Sequence, residues 1–485
     1  MSWEVVIGLE IHAQLKTNSK LFCHCSAAFG DTPNTNICPV CTAMPGVLPV
    51  LNKKVVDSAI KLGLATNCKI NSINEFSRKN YFYPDSPKAY QISQFDKPIC
   101  LAGYLNIMVN NELRRIDITR IHMEEDAGKL VHQGSDNISG ATHSLVDLNR
   151  CSVPLLEIVS EPVIRSATEA RLYMEKMRQI IRYLDIGDGN MEEGSLRCDA
   201  NVSIRKRGDI KLGTKTEVKN LNSFKSVEKA INLEIDRQID ILEDGGTIIQ
   251  ETRHYNEATA STTSLRSKEE AHDYRYFPDP DLVPIVIDEL WIETIRKELP
   301  ELPEAIQKRF VNDYNLPTDH SVRLTSIKKL AEDFENAYKN RKNENITPLE
   351  TANVALKYYD YFLSNNLDFS KSNHASFQIG GLTFLVNTST VSSSTITSIL
   401  PDIVNTNYDP IEYVKEKGLA QVSDTGELKS IIQDVIKENP GPAEEIKSGK
   451  MQTIGFMMGQ IMQKTKGKAN PGLANKMLKE LLGIS

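Results

Sequence analysis

The chain has 485 residues, 25% of them charged and 40% hydrophobic, with a formal net charge of −7; this describes a soluble globular protein too long for one compact core, so about two to four domains are expected. The acidic balance argues against general nucleic-acid binding but leaves room for a local basic patch, and eight cysteines are too few for a disulfide scaffold. No run of about 18 apolar residues marks a membrane span, and the first strand begins too early for a signal or transit peptide, so a cytoplasmic protein is the expectation.

Residues 3–15 alternate. Trp3, Val5, Ile7, Leu9, Ile11, Ala13 and Leu15 hold the odd positions, while Glu4, Gly8, Glu10, His12 and Gln14 hold even ones. A period of two makes a strand with one apolar face and a second face presenting Glu10 beside His12. Such a pair suits a metal or substrate lying on the sheet; it equally suits a half-buried edge strand with a solvated polar side. Next come Cys23, Cys25, Cys38 and Cys41, spaced C-x-C, twelve residues, C-x-x-C. Two close thiolate pairs across a short loop suit a structural tetrahedral zinc in a knuckle over residues 22–42, with free thiols or a redox pair as the other readings. Cys68, Cys100, Cys151 and Cys198 are scattered and read as small buried hydrophobes.

Residues 52–64 have helical spacing. Residues 78–85, Arg-Lys-Asn-Tyr-Phe-Tyr-Pro-Asp, followed by Lys88, Tyr90 and Gln91, are too proline-interrupted for a helix and line either the core or a site. Residues 101–160 read as extended, with turns at 109–111 and 134–137. Within them His122-Met123-Glu124-Glu125-Asp126 concentrates three acids and an imidazole. Glu124 and Glu125 point to opposite faces of an extended chain, so one of them is expected to join Glu10 and His12, unless the segment is a solvated acidic turn. Glu157 interrupts an apolar run over 153–159, where a lone carboxylate must be paired or metal-bound.

A helix is expected over 165–184, then strands over 193–205 and 213–219. Their polar faces carry Glu193, Arg197 and Asp199, and Lys215, Glu217 and Lys219, the working surface of an antiparallel sheet. Ser223 is the natural N-cap of a helix over 224–242, which stops at Gly245-Gly246. A sheet backed by helices is an α+β domain. The expected division is 1–292 for that domain, 293–408 for a helical domain, and 409–485 for an all-α tail. From Ile446 onward the tail holds seven lysines against the single acid Glu480, a charge that suits a phosphate backbone or a solvated helix face. Neither a P-loop, nor a dinucleotide G-x-G-x-x-G after a strand, nor a G-x-S-x-G elbow occurs. ATP chemistry here would need metal-bound carboxylates on the sheet.

Several stretches together resemble the GatB family of glutamyl/aspartyl-tRNA amidotransferase components: residues 7–12, 38–41, 78–85, 122–129, 146–150, 154–158, 192–199, 273–280 and 455–471. The likeness spans essentially the whole chain and is weakest over about 320–405. Ser77 stands where the family often has Asp, and Cys151-Ser152-Val153 replaces the usual small residues before Pro154. The resemblance implies a cradle domain with a glutamine-synthetase-like fold, a helical domain, and a YqeY-like tail that grips tRNA. It implies ATP-dependent phosphorylation of the side-chain carboxylate of mischarged Glu-tRNA(Gln) or Asp-tRNA(Asn), then displacement of phosphate by ammonia. The ammonia comes from glutamine hydrolysed by an amidase partner, GatA, with GatC bridging the two. By the same resemblance His12, Glu125 and Glu157 are expected to bind Mg²⁺ with Glu10 beside them, and Lys79, Tyr81 and Lys88 to line the ammonia or substrate path. The nucleotide is expected to lie against Glu193, Arg197, Asp199, Lys215 and Glu217. A non-catalytic tRNA-binding scaffold and a stand-alone glutamine-synthetase-like ligase are the alternatives.

Overall fold

A computed structural model describes residues 3–134, 140–267, 271–404, 406–420, 425–465 and 469–484. The expected turn at 134–137 falls mostly outside these, as do Lys466 and Lys468 of the lysine-rich tail. The chain forms two compact units, Met1–Leu302 and Pro303–Ser485. The helix Glu289–Lys297 belongs to the first, where Trp291 Nε1 donates to Asp57 at 2.8 Å.

The N-terminal unit is built on a nine-stranded sheet. From one edge the order is Ser261–Ser267, Glu251–Asn256, Thr216–Lys219, Leu196–Lys206, Trp3–Gln14, Pro154–Ser160, Glu112–Glu125, Cys100–Val109 and Lys69–Ile70. Every pairing is antiparallel except that of Thr216–Lys219 with Glu251–Asn256. The exception has a cause: the helix Phe224–Glu243 lies between those two strands in sequence, and a helical crossover returns the chain in the same direction. The first strand is thus central, not the edge strand its pattern also allowed. Its odd residues Ile7, Leu9 and Ile11 are fully buried, each contributing roughly 1.5–3 kcal/mol of apolar burial. They join one core with the helices Lys53–Ala65, Ala167–Tyr183 and Phe224–Glu243. Those helices begin where the sequence supplies a cap: Asn52 accepts from Lys54 N, Ser166 from Glu169 N and Ser223 from Ser226 N. With helices on the apolar side, the even residues of the first strand face the opposite side.

The second unit is helical throughout its described residues. Its last four α-helices, Thr425–Glu438, Pro440–Lys447, Ile454–Lys464 and Pro471–Leu482, enclose a core of their own that includes Leu428, Ile432, Met457, Ile461 and Leu478. Two of the tail lysines are offset by acids of the same bundle: Lys464 lies 2.6 Å from Glu438, and Lys450 lies 3.6 Å from Glu445. Among the described residues no helix is long and apolar enough to cross a membrane.

Candidate functional site

Strand register decides which side chains meet. His12 is paired with Glu157 on one side and Arg197 on the other, and Glu157 is paired in turn with His122. Directly opposed residues of antiparallel strands project to the same face. Arg197, His12, Glu157 and His122 therefore form one row across four strands. Glu157 Oε2 lies 3.3 Å from His12 Nε2 and 3.5 Å from His122 Nε2. Glu124, two residues along from His122, brings Oε2 to 3.5 Å from the same nitrogen. One ligand atom each from His122, Glu124 and Glu157 fit within 4.8 Å of one another. One imidazole and two carboxylates converging from neighbouring strands, with the His12 imidazole against Glu157, are a donor set for a divalent cation.

The electrostatics follow from burial of these groups against one another. Burial pushes the Glu157 carboxyl up, yet the charge of His122 and the hydrogen bonds of both imidazoles hold it well below the usual carboxylate range. Burial works against charge on His12, but its hydrogen bond to Glu157 and the charge of Glu157 prevail and raise its pKa. His122 is raised in the same way. Glu124 is lowered despite burial, chiefly by Lys79, whose Nζ lies 3.8 Å away.

The expected partner Glu125 is not in this group. Its carboxylate accepts from Ser152 Oγ at 2.5 Å and Ile92 N at 2.8 Å, and Lys88 Nζ is 2.5 Å away. Residue parity puts Glu124 on the face shared by His122 and Glu157, and Glu125, expected with His12 and Glu157 to bind Mg²⁺, on the other. In the sequence His122 and Glu124 stood out only as members of the cluster His122-Met123-Glu124-Glu125-Asp126. Lys79 and Lys88 sit on or beside the paired strands Ser77–Asn80 and Tyr90–Ser93, one against each glutamate. Tyr81 follows the first of these, its backbone N–H bonded to Ala89 O at 3.1 Å.

Further along the face, Glu10 is opposite Asp199 and accepts from Asn201 Nδ2 at 2.9 Å. Asp199 takes the ammonium of Lys219 at 2.5 Å, and Glu217 accepts from Thr252 Oγ1 at 2.7 Å. Arg197 is anchored by Asp126 at 2.7 Å, which also accepts from Gln14 Nε2 at 2.7 Å. Two expected nucleotide residues are off the face. Glu193 lies exposed in a turn, because the chain reverses through Gly194 at φ +76° and the strand starts only at Leu196. Lys215 is exposed just before the strand Thr216–Lys219.

The four knuckle cysteines also converge, with their sulfurs within 4.8 Å. Cys38 and Cys41 sulfurs are 3.9 Å apart, too far for a disulfide at about 2.05 Å and close to the edge of about 3.8 Å that a tetrahedral zinc with 2.3 Å bonds requires. The hydrogen bond from Cys23 is the main influence holding the Cys41 thiol below its ordinary value; burial opposes it, and the charge of Lys20 assists. The donor set fits a structural metal closed to chemistry.

Residues 5–293 match the family described as the GatB/GatE catalytic domain, and residues 332–482 match the GatB domain. A protein of Carboxydothermus hydrogenoformans, named as the B component of aspartyl/glutamyl-tRNA(Asn/Gln) amidotransferase, is 52% identical over 480 residues, covering 99% of each chain. Proteins of the same name from Thermodesulfovibrio yellowstonii, over 99% of this chain and 100% of the relative, and from a Geobacter species, over 100% of both, are each 50% identical.

Proposed function

The chain belongs to the GatB/GatE family, and from that premise we propose that it is the ligase subunit that converts mischarged Glu-tRNA(Gln), Asp-tRNA(Asn) or both to the amide with ATP. The observation that carries the reading is the row Arg197, His12, Glu157 and His122, with Glu124 beside it, on the helix-free face of the sheet. A carboxylate is a poor acyl donor, so the γ-phosphoryl group of ATP is first transferred to it. ADP leaves in that step; ammonia then attacks the acyl phosphate carbon, phosphate leaves with the bonding pair, and the nitrogen gives up a proton to yield the amide. His12, His122, Glu124 and Glu157 would hold Mg²⁺, which when bound neutralises phosphate charge.

The chain's own residues supply orientation. Arg197, fixed by Asp126, and Lys219, fixed by Asp199, provide placed cations for the phosphates. Glu10 and Glu217 complete the nucleotide side of the face. Lys79, Tyr81 and Lys88 border the path by which ammonia or substrate reaches the row, a position supported by the contacts of the two lysines with Glu124 and Glu125. The cysteine knuckle holds structural zinc, the N-terminal unit has a glutamine-synthetase-like cradle fold, and the YqeY-like tail grips tRNA. The chain works in the cytoplasm in a heterotrimer, where GatA hydrolyses glutamine and GatC bridges. The test is reconstitution with both partners, following each mischarged tRNA with glutamine and ATP. Amide formation on at least one tRNA is expected. Amidation of a small free carboxylate without tRNA or partners would instead identify a stand-alone ligase.

A further inference from the structure

Lys20 is fully buried, a rare state for a lysine unless its charge is paired. Its Nζ lies 3.3 Å from Leu148 O and 3.7 Å from Cys41 Sγ, and among the described residues no carboxylate pairs with it. Four thiolates around Zn²⁺ carry a net charge of −2, and at Cys41, the buried one of the four, that charge is offset by a cation buried beside it. We infer that Lys20 is the charge partner of the cysteine centre, a positioning residue that retains the metal and ties the knuckle to the segment 147–152. The inference rests on the zinc reading above.

That segment makes the connection consequential. Asp147 Oδ1 accepts from Asn34 N at 3.1 Å, and Asn149 Oδ1 from Asn36 N at 2.8 Å, so the knuckle loop is laced to it. Cys151 Sγ donates to Cys41 O at 3.3 Å. The next residue, Ser152, sits in the left-handed region at φ +65° and donates its hydroxyl to Glu125. Residues 148–152 thus link, through hydrogen bonds at either end, the backbone of Cys41 to the Lys88–Glu125 pair, with the Lys20 ammonium on Leu148 O at the start.

The experiment measures zinc content and the rate of zinc release to a chromogenic chelator from the purified heterotrimer. Lys20→Gln removes the charge while keeping a donor for Leu148 O, Lys20→Met removes both, and Lys20→Arg keeps the charge. Outer partners of metal ligands are typically worth 10–100-fold in affinity, so Gln and Met are expected to release zinc at least about tenfold faster, with Arg within about threefold of wild type. If the Met variant does not fold, the Gln variant decides alone. Release from Lys20→Gln at the wild-type rate would overturn the inference and leave the zinc reading standing. A wild-type complex without zinc would overturn both.

Discussion

Replacing Glu125 by glutamine is expected to destabilise the N-terminal unit while sparing its cation site. The exchange leaves the hydrogen bonds from Ser152 and Ile92 N in place but removes the charge facing Lys88, whose side chain is 9% exposed against 2% for Glu125. At 2.5 Å and an effective dielectric of about 20, the direct attraction is roughly 6–7 kcal/mol, much of it offset by desolvation of both groups. Stranding one partner of such a buried pair costs about 3–5 kcal/mol, a fall of roughly 5–8 °C in melting temperature for a unit of this size. Adding Lys88→Met removes the stranded charge and should restore at least about half of the loss. Circular dichroism melts of the four proteins give the cycle, and Mn²⁺ titration by electron paramagnetic resonance on the same samples gives the cation affinity. Mn²⁺ affinity should stay within about threefold in Glu125→Gln and fall at least about tenfold in Glu124→Gln. A Glu125→Gln protein that melts like wild type but has lost Mn²⁺ would refute the reasoning and return Glu125 to the metal.

Glu157→Gln takes the anion from between two imidazoles; Mn²⁺ affinity and ATP-dependent amidation should both fall by at least about 100-fold while tRNA affinity, read by filter binding, is unchanged. Asp126 is held below its ordinary value of 3.8, against burial, by Arg197 and Arg150. Its contribution is therefore complete above about pH 4 and is lost as pH falls through the depressed value. Urea midpoints measured between about pH 5 and pH 2.5 should drop steeply in wild type and more shallowly in Asp126→Asn. Removing residues after 410 should weaken tRNA binding and flatten the slope of log affinity against log salt by at least about two, with Mn²⁺ binding intact; an unchanged slope would count against the tail as the tRNA grip.

Much of this architecture was legible because its signals are local. The period of two in residues 3–15 fixes a face for Glu10 and His12, and Asn52 and Ser223 mark helix starts through their own hydrogen bonds. What was hidden depends on register. Nothing near His12 says that Glu157 and Arg197 will stand beside it, since those pairings join strands more than 100 residues apart. Which side Glu124 and Glu125 each take was hidden for a different reason. Both are buried, at 3% and 1% exposure, so no solvated side breaks the tie. Glu193 and Lys215 were lost to strand ends set by turn geometry. Lys20 is a lone lysine in the sequence, and only its burial against sulfur gives it meaning.

The central place of the first strand has a consequence for biosynthesis. Trp3–Gln14 emerges from the ribosome well before its neighbours Pro154–Ser160 and Leu196–Lys206. Until then it has two open edges, the feature that templates aggregation, and such distant pairings form slowly. A nascent chain halted before Lys206 carries His12 with only part of its row. Shielding of that strand during translation is thus a requirement for yield, and slowing synthesis ahead of residue 206 should lengthen the dangerous interval.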